Sequence, residues 1–333
     1  MSLQKLIARM VAEGCEYFIF EVTSQALTQS RTWGIPIDTA VLTNVTYEHI
    51  EYHGSVDAYL RAKFLLFQNV RHAIVLNKDD ENFAYYDRAS APHKMSFGIR
   101  EGSIRAKNCE YFSDHTNFSI VFPDGTELPV AMRLTTESNV ENALAATSVA
   151  TAYGIDTEII KKTLESIPVI EGRYEAIDDG QPFTVVVDYA HHPVSLQKLC
   201  AFYRSITTGR LITVSGATGG GRDKSKRPIM GAIADRYSDF IVVTDDDPYS
   251  EDRFKIIEDV ASGIKNKEEG KTFWKIPDRR EAITFALKKI AREGDTVLIA
   301  GKGNEPVQVI ASGKIPWDDR KIVREVLRTR ALQ

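Results

Sequence analysis

Uniformly apolar runs alternate with helical spacings along most of this chain, and that rhythm restricts the fold more than any other feature. TAVLTNV (39–45), HAIVLN (72–77), FTVVVDYA (183–190) and residues 211–215, 240–244 and 296–300 lack the wet face of an exposed strand. Between them, helical periodicity covers 56–70, 138–155, 228–237, 253–264 and 279–291, with a last helix from about Asp318. Continuous apolar strands joined by amphipathic helices imply parallel βαβ units and an α/β protein.

The chain opens on a helix, with Leu3, Leu6, Ile7, Met10 and Val11 at helical spacing and Gly14 as its stop. YFIFEV (17–22) then reads as a buried strand. From about 80 to 135 the pattern is short, mixed and punctuated by Gly and Asp, as in an antiparallel edge. Turn residues gather across 167–182, which sets a domain boundary near 170. Residues 1–170 form a first, parallel-sheet domain and 171–333 a Rossmann-like second, consistent with roughly 100–200 residues per domain. The first reads as truncated, because a doubly wound nucleotide-binding domain begins on a strand with a glycine-rich phosphate loop. No G-x-x-x-x-G-K-[ST] occurs. GATGGGRDKSKRP (216–228) comes nearest, with Arg222 and Asp223 where Lys and Ser/Thr would stand.

Composition narrows the class. With 42 basic against 46 acidic residues the net charge is −4, and 43% of the chain is hydrophobic. This excludes a coiled coil or a disordered chain and gives no electrostatic footprint for nucleic acid. Cys15, Cys109 and Cys200 are odd in number and far apart, so no disulfide framework or thiolate zinc site is encoded, and a reducing cytoplasm fits. No apolar run approaches the roughly 20 residues of a membrane span, and no signal peptide is recognisable.

Several residues at strand ends carry chemical potential. Glu21, Thr23 and Ser24 end the 17–22 run, where open α/β sheets form their ligand crevice, and a carboxylate there suits Mg²⁺ or caps the next helix. His49 and His53, four apart, suggest zinc by spacing, but nothing else supports it, so a single His in a magnesium shell or structural histidines are preferred. Lys63 sits among Tyr59, Ala62, Leu66 and Phe67, and local sequence favours a snorkelling lysine. Asp188 and His191 close the 183–190 strand, where an Asp bonds a ribose hydroxyl or holds a turn before Pro193. The glycines of 216–221, followed by Arg222, Lys224, Lys226 and Arg227, offer a weak anion site.

In order, FEVTSQALTQSR, TNVTYEHIEYHGSVDAYLRAK, NVENALAA, EGRYE, VVVDYAHHP, GRDKSKRP and IAGKGNE resemble the motifs of the Mur ligases of peptidoglycan synthesis. The match is closest to the MurE type, which adds the third amino acid to UDP-N-acetylmuramoyl-L-alanyl-D-glutamate. The resemblance implies that ATP phosphorylates the substrate carboxylate and an amino acid's amine attacks the acyl phosphate, with Mg²⁺ as cofactor. It places Glu21 and His49 on magnesium and makes Lys63 a carbamylated lysine supporting a second metal; His49 and Lys63 are its catalytic pair. Thr23, Ser24 and Arg31 meet the UDP-sugar peptide, and Asn139, Arg173 and Asp188 meet the nucleotide. Arg222 holds the incoming amino acid's α-carboxylate, and Asp246, Asp247, Tyr249, Gly301 and Glu305 line the same acceptor site. Lys302 receives no role. The expected partners are a UDP-muramoyl dipeptide and a free amino acid, with neither nucleic acid nor membrane, and the expected state is a monomer.

The chain departs from the pattern at Gln25 and Asn304, where the family has histidine, and at Tyr249, where diaminopimelate-adding members read arginine in Asp-Asn-Pro-Arg. Tyrosine cannot grip a far carboxylate through two charge-assisted bonds, which favours L-lysine. Without a phosphate-loop lysine the chain alone is expected to turn over negligibly. One alternative stays open, a non-catalytic binding fragment or subunit of such a ligase. A nicotinamide dehydrogenase built on the 211–221 glycine loop, with Asp245 to Asp247 near the ribose position, is allowed by spacing but excluded by the ordered ligase motifs.

Overall fold

The computed structural model describes residues 3–45 and 50–330. Leu3–Ala12 forms the expected opening helix α1, and Gly14, at φ 78°, ends it. Residues 17–22 do not form the expected strand. Tyr17 is 65% and Ile19 93% exposed, and the segment runs irregularly into α2 (Ser24–Thr28). An apolar run becomes a strand only when a neighbour completes its ladder, and no described strand lies alongside this one.

The remaining elements of the first unit are β1 (Thr39–Leu42), α3 (Ile50–His53), α4 (Val56–Phe64), β2 (Ala73–Asn77), α5 (Phe83–Tyr86), β3 (His93–Gly98), β4 (Ile104–Tyr111), β5 (Thr116–Val121), β6 (Glu127–Met132), α6 (Glu137–Ala152) and α7 (Thr157–Ser166). They build a six-stranded sheet in the order β1-β2-β3-β4-β5-β6. β1, β2 and β3 are parallel, with Ala40 opposite Ile74 and Ile74 opposite Lys94, so the parallel part extends into the region expected to be an antiparallel edge. Every residue of β2 is buried, as its AIVLN sequence demands. Leu42, Leu60, Phe67, Ile74, Leu76 and Tyr86 form the core beside it.

The second unit contains β7 (Glu175–Ala176), β8 (Thr184–Asp188), α8 (Pro193–Ile206), β9 (Leu211–Ser215), α9 (Lys226–Tyr237), β10 (Phe240–Val243), α10 (Arg253–Ala261), β11 (Phe273–Lys275), α11 (Arg279–Phe285), β12 (Thr296–Ala300), β13 (Val307–Ile310), β14 (Gly313–Pro316) and α12 (Asp319–Arg330). Its sheet runs β11-β10-β9-β12-β8-β7, parallel except for β7. Successive side chains of a strand face opposite ways, and the sequence fills both faces. Val186, Ile241 and Leu298 pack with Leu199, Tyr203 and Ile257 on one side. Val185, Val187, Val214 and Ile299 pack with Ile283, Leu287 and Val323 on the other. Each such side chain contributes about 1.5–3 kcal/mol by leaving water.

Helix α8 and the hairpin of β13 and β14 were not foreseen. The helical spacing of 279–291 breaks into α11 and a π turn, Ala286–Ile290. β12 returns from the sheet's far side to insert between β8 and β9, the kind of reversal beside which open sheets form a crevice at strand carboxyl ends.

Candidate functional site

The carboxyl ends of β9, β10 and β12 lead into the three segments that hold the expected acceptor-site residues, and β8 ends at Asp188. After β10, Asp246 and Asp247 are buried, and after β12 so are Gly301 and Lys302. Lys302, which the motif reading left without a role, is the centre of the cluster. Its ammonium lies 2.8 Å from Asp247 Oδ1, 2.5 Å from Glu305 Oε2 and 3.8 Å from Asp246 Oδ1, with its side chain fully buried. Burial works against the charge, but the surrounding carboxylates outweigh it and hold the lysine pKa above its ordinary value.

Backbone donors and two further side chains fix the acids. Asp247 Oδ1 also accepts from the Val309 N–H at 2.8 Å, Gln308 donates to the Asp246 carbonyl at 2.8 Å, and Tyr189 donates to Glu305 at 3.1 Å. Asp246 is pushed above the usual carboxylate range by burial, against the pull of Arg279 and Lys302. Arg279, wholly buried, grips Asp319 with two bonds of 2.6 and 2.9 Å and donates to the Asp245 and Ala300 carbonyls. The acid trio has the donor set of a cation site, but the lysine ammonium already fills it, so it does not fit a resident metal.

The glycines around these acids answer to packing. A Cβ on Gly219 would stand 2.3 Å from the Pro248 carbonyl oxygen, one on Gly220 2.7 Å from the Tyr249 ring, and one on Gly172 2.1 Å from the Asn304 nitrogen. Gly301, at φ 125°, has more room, a Cβ there standing 3.2 Å from Asp246 Oδ2. Gly219 and Gly220 therefore seat the loop against the Asp246–Tyr249 turn, and the Gly219 N–H donates to the Asp247 carbonyl at 2.8 Å.

The expected basic cluster behind that loop is mostly consumed by the fold. Arg227 is fully buried between Glu251 and Asp259, Lys224 pairs with Glu251, and Lys226 donates to the His191 carbonyl. Burial also lowers the Lys226 pKa, with Asp246 opposing. Only Arg222 of the four is exposed with no side-chain partner among the described residues.

Among residues expected to meet the nucleotide, Asp188 is buried, with one carboxylate oxygen accepting from the Tyr174 N–H at 2.7 Å and the other from the Ala190 N–H at 2.8 Å. Burial pushes its pKa up despite those bonds. Arg173 is exposed, its guanidinium 4.5 Å from the centre of the Tyr189 ring. Asn139 lies in the first turn of α6, in the other unit.

In the first unit the structure brings Ser24, His53, Tyr59 and Lys63 together. Ser24 Oγ is 2.9 Å from His53 Nε2, His53 packs 5.4 Å from the Tyr59 ring, and the Lys63 ammonium sits 5.5 Å from the same ring. Lys63 is thus half-buried on α4 against an aromatic face. Thr23 caps α2 through the Ala26 N–H, and Glu21 and Arg31 are exposed. His49 lies outside the described residues.

A unit with parallel β1 to β3 is followed by a doubly wound unit with polar strand ends, the α/β architecture in which ligands bind at strand carboxyl ends. Residues 1–150 match the Mur ligase middle domain and 172–303 the glutamate ligase domain of Mur ligases, so the chain belongs to the Mur ligase family of ATP-dependent, amide-bond-forming enzymes. A relative from Geobacillus thermodenitrificans, a UDP-N-acetylmuramoyl-L-alanyl-D-glutamate–2,6-diaminopimelate ligase, is 39% identical over 339 residues, which cover 99% of this chain and 68% of the relative. A UDP-N-acetylmuramyl-tripeptide synthetase from Roseiflexus is 38% identical, with 98% and 67% covered. A solved diaminopimelate ligase of the same description is 30% identical with a TM-score of 0.70, covering 99% of this chain and 68% of its own. The chain therefore spans about two-thirds of these proteins' length.

Proposed function

We propose that the protein adds the third amino acid to UDP-N-acetylmuramoyl-L-alanyl-D-glutamate in the cytoplasm, with L-lysine preferred over diaminopimelate. ATP transfers its terminal phosphoryl to the glutamate carboxylate and ADP leaves. The amino acid's amine then attacks the acyl carbon, phosphate departs, and the amine loses a proton as the amide forms. Holding the amine at the acyl carbon supplies much of the rate, because a bimolecular encounter becomes an intramolecular one.

Glu21 and His49 would hold Mg²⁺, a hard cation for which the exposed Glu21 carboxylate is a suitable donor, and a carbamylated Lys63 would support a second metal. Bound there, magnesium offsets phosphate charge. Asn139, Arg173 and Asp188 serve the nucleotide, and Thr23, Ser24 and Arg31 the UDP-sugar peptide. Arg222 takes the α-carboxylate of the incoming amino acid, for which its unpaired guanidinium is suited.

The observation that carries the reading is the convergence of Gly219–Arg222, Asp246–Tyr249 and Gly301–Glu305 around one acid cluster. Two of the three relatives named above are diaminopimelate ligases, yet Tyr249 offers no guanidinium for a far carboxylate. A lost charge-assisted contact costs about 1.5–3 kcal/mol, roughly ten- to a hundred-fold in affinity. The test is phosphate release by the full-length protein with ATP and the UDP-muramoyl dipeptide, given lysine, ornithine or diaminopimelate separately. Lysine should be used fastest. Preference for diaminopimelate would overturn the reading of Tyr249, and no release with any amino acid would overturn the ligase assignment.

A further inference from the structure

The turn that carries Asp246, Asp247 and Tyr249 is tied at its two ends by a single ion pair. Asp245 follows β10 and Arg253 opens α10, and an Arg253 terminal nitrogen stands 2.6 Å from Asp245 Oδ2. Asp245 is 2% exposed. Its backbone is fixed as well, the N–H donating to the Pro277 carbonyl and the carbonyl accepting from Arg279. Besides Arg253, the charged groups acting on its carboxylate are Arg279 and Asp278 at the start of α11.

The pair is poorly suited to stabilising the fold. Asp245 Oδ1 and Arg253 Nε are both buried, and neither has a protein partner, so the side chains make one contact where an arginine and a carboxylate can make two. A buried carboxylate matched this incompletely recovers little of its desolvation cost. What the contact does set is the distance between the end of β10 and the first turn of α10, and so the span the intervening turn must cover. That turn contains Tyr249 at φ 54°, a backbone conformation unfavourable for a tyrosine. The Tyr249 N–H donates to the Val309 carbonyl, and its ring closes over Gly220.

We propose that Asp245 and Arg253 form a positioning clasp, holding the turn between them in the shape in which Asp246, Asp247 and Tyr249 receive the incoming amino acid. Neither residue touches a substrate. The inference rests on the ligase reading above for its substrate, and on the ion pair alone for its geometry.

The test uses the full-length protein carrying Asp245→Asn with Arg253→Met, which removes both charges and leaves no uncompensated carboxylate, and separately Arg253→Lys. The double variant should melt no lower than the wild type and keep its KM for ATP and for the UDP-muramoyl dipeptide. Its KM for the preferred amino acid should rise about ten-fold, the scale of one lost charged hydrogen bond. Arg253→Lys should fall between the two. Hydrogen–deuterium exchange of peptides spanning 246–252 should speed up in the double variant. An unchanged amino-acid KM, or an equal rise in all three KM values with lost thermal stability, would overturn the clasp. Should the wild type ligate no amino acid, the functional reading fails while exchange still decides the clasp: faster exchange at 246–252 upholds it, and unaltered exchange refutes it.

Discussion

Asp245 shows how far one buried side chain departs from its ordinary chemistry. Burial raises its pKa from 3.8 to about 6, against the pull of the Arg253 guanidinium. The folded chain therefore binds this proton more tightly than the unfolded chain does. The stability tied to it is fully present below about pH 4 and is lost as pH rises through about 6. Asp245→Asn should remove that loss, so the urea midpoint of the variant should gain on the wild type between pH 4 and pH 7. Parallel curves for the two proteins would show that Asp245 titrates normally. At this scale the sequence was only half informative. Asp246, Asp247 and Glu305 stood out as acids in recognisable motifs, but Lys302 did not stand out as their common partner. A buried ammonium is identified by what surrounds it, and its surroundings come from two distant segments. Arg227 misled in the opposite direction: beside a glycine loop it resembled an anion ligand, and it is spent on Glu251 and Asp259.

At the level of elements, apolar composition reports a tendency to leave water, while strand formation also needs a hydrogen-bonding neighbour. YFIFEV has the first and lacks the second, so Ile19 stays 93% exposed, whereas the equally apolar β8 sits between β12 and β7 and is buried. Helix α8 carries its own local signals. Pro193 occupies its first turn, His192 and Ser195 form a capping box, and Leu196, Leu199, Cys200 and Tyr203 recur on one buried face. The polar DYAHHP run both ends β8 and introduces this helix, so no separate turn signal marks where one stops and the other starts. Two substitutions contrast these elements. Leu199→Ala should destabilise the protein by about 2–5 kcal/mol, the usual range for a buried leucine. Ile19→Ser should stay within about 0.5 kcal/mol, as exposed substitutions do. Equal urea midpoint shifts for the two would contradict the placement of both.

Over the whole molecule, the order of strands and helices was legible because both faces of the second sheet are encoded by alternate residues of the same strands. The insertion of β12 between β8 and β9 was not, since pairing order depends on which edges meet and leaves no local mark. Two of the three cysteines allow the opening of the second unit to be followed. Cys15 is exposed, whereas Cys200 is fully buried in the second unit, with burial pushing its thiol up to about 12. A thiol reagent should label Cys15 at once and reach Cys200 only as the second unit opens, at a rate that rises with urea. Prompt labelling of Cys200 in native buffer would show that the second unit is looser than its packing indicates. The buried cluster at Lys302 has a consequence for how the second unit is held together. Asp246, Asp247 and Glu305 share one internal ammonium, so Lys302→Met would leave like charges crowded without a counter-ion, a loss of about 3–5 kcal/mol that a urea midpoint would register.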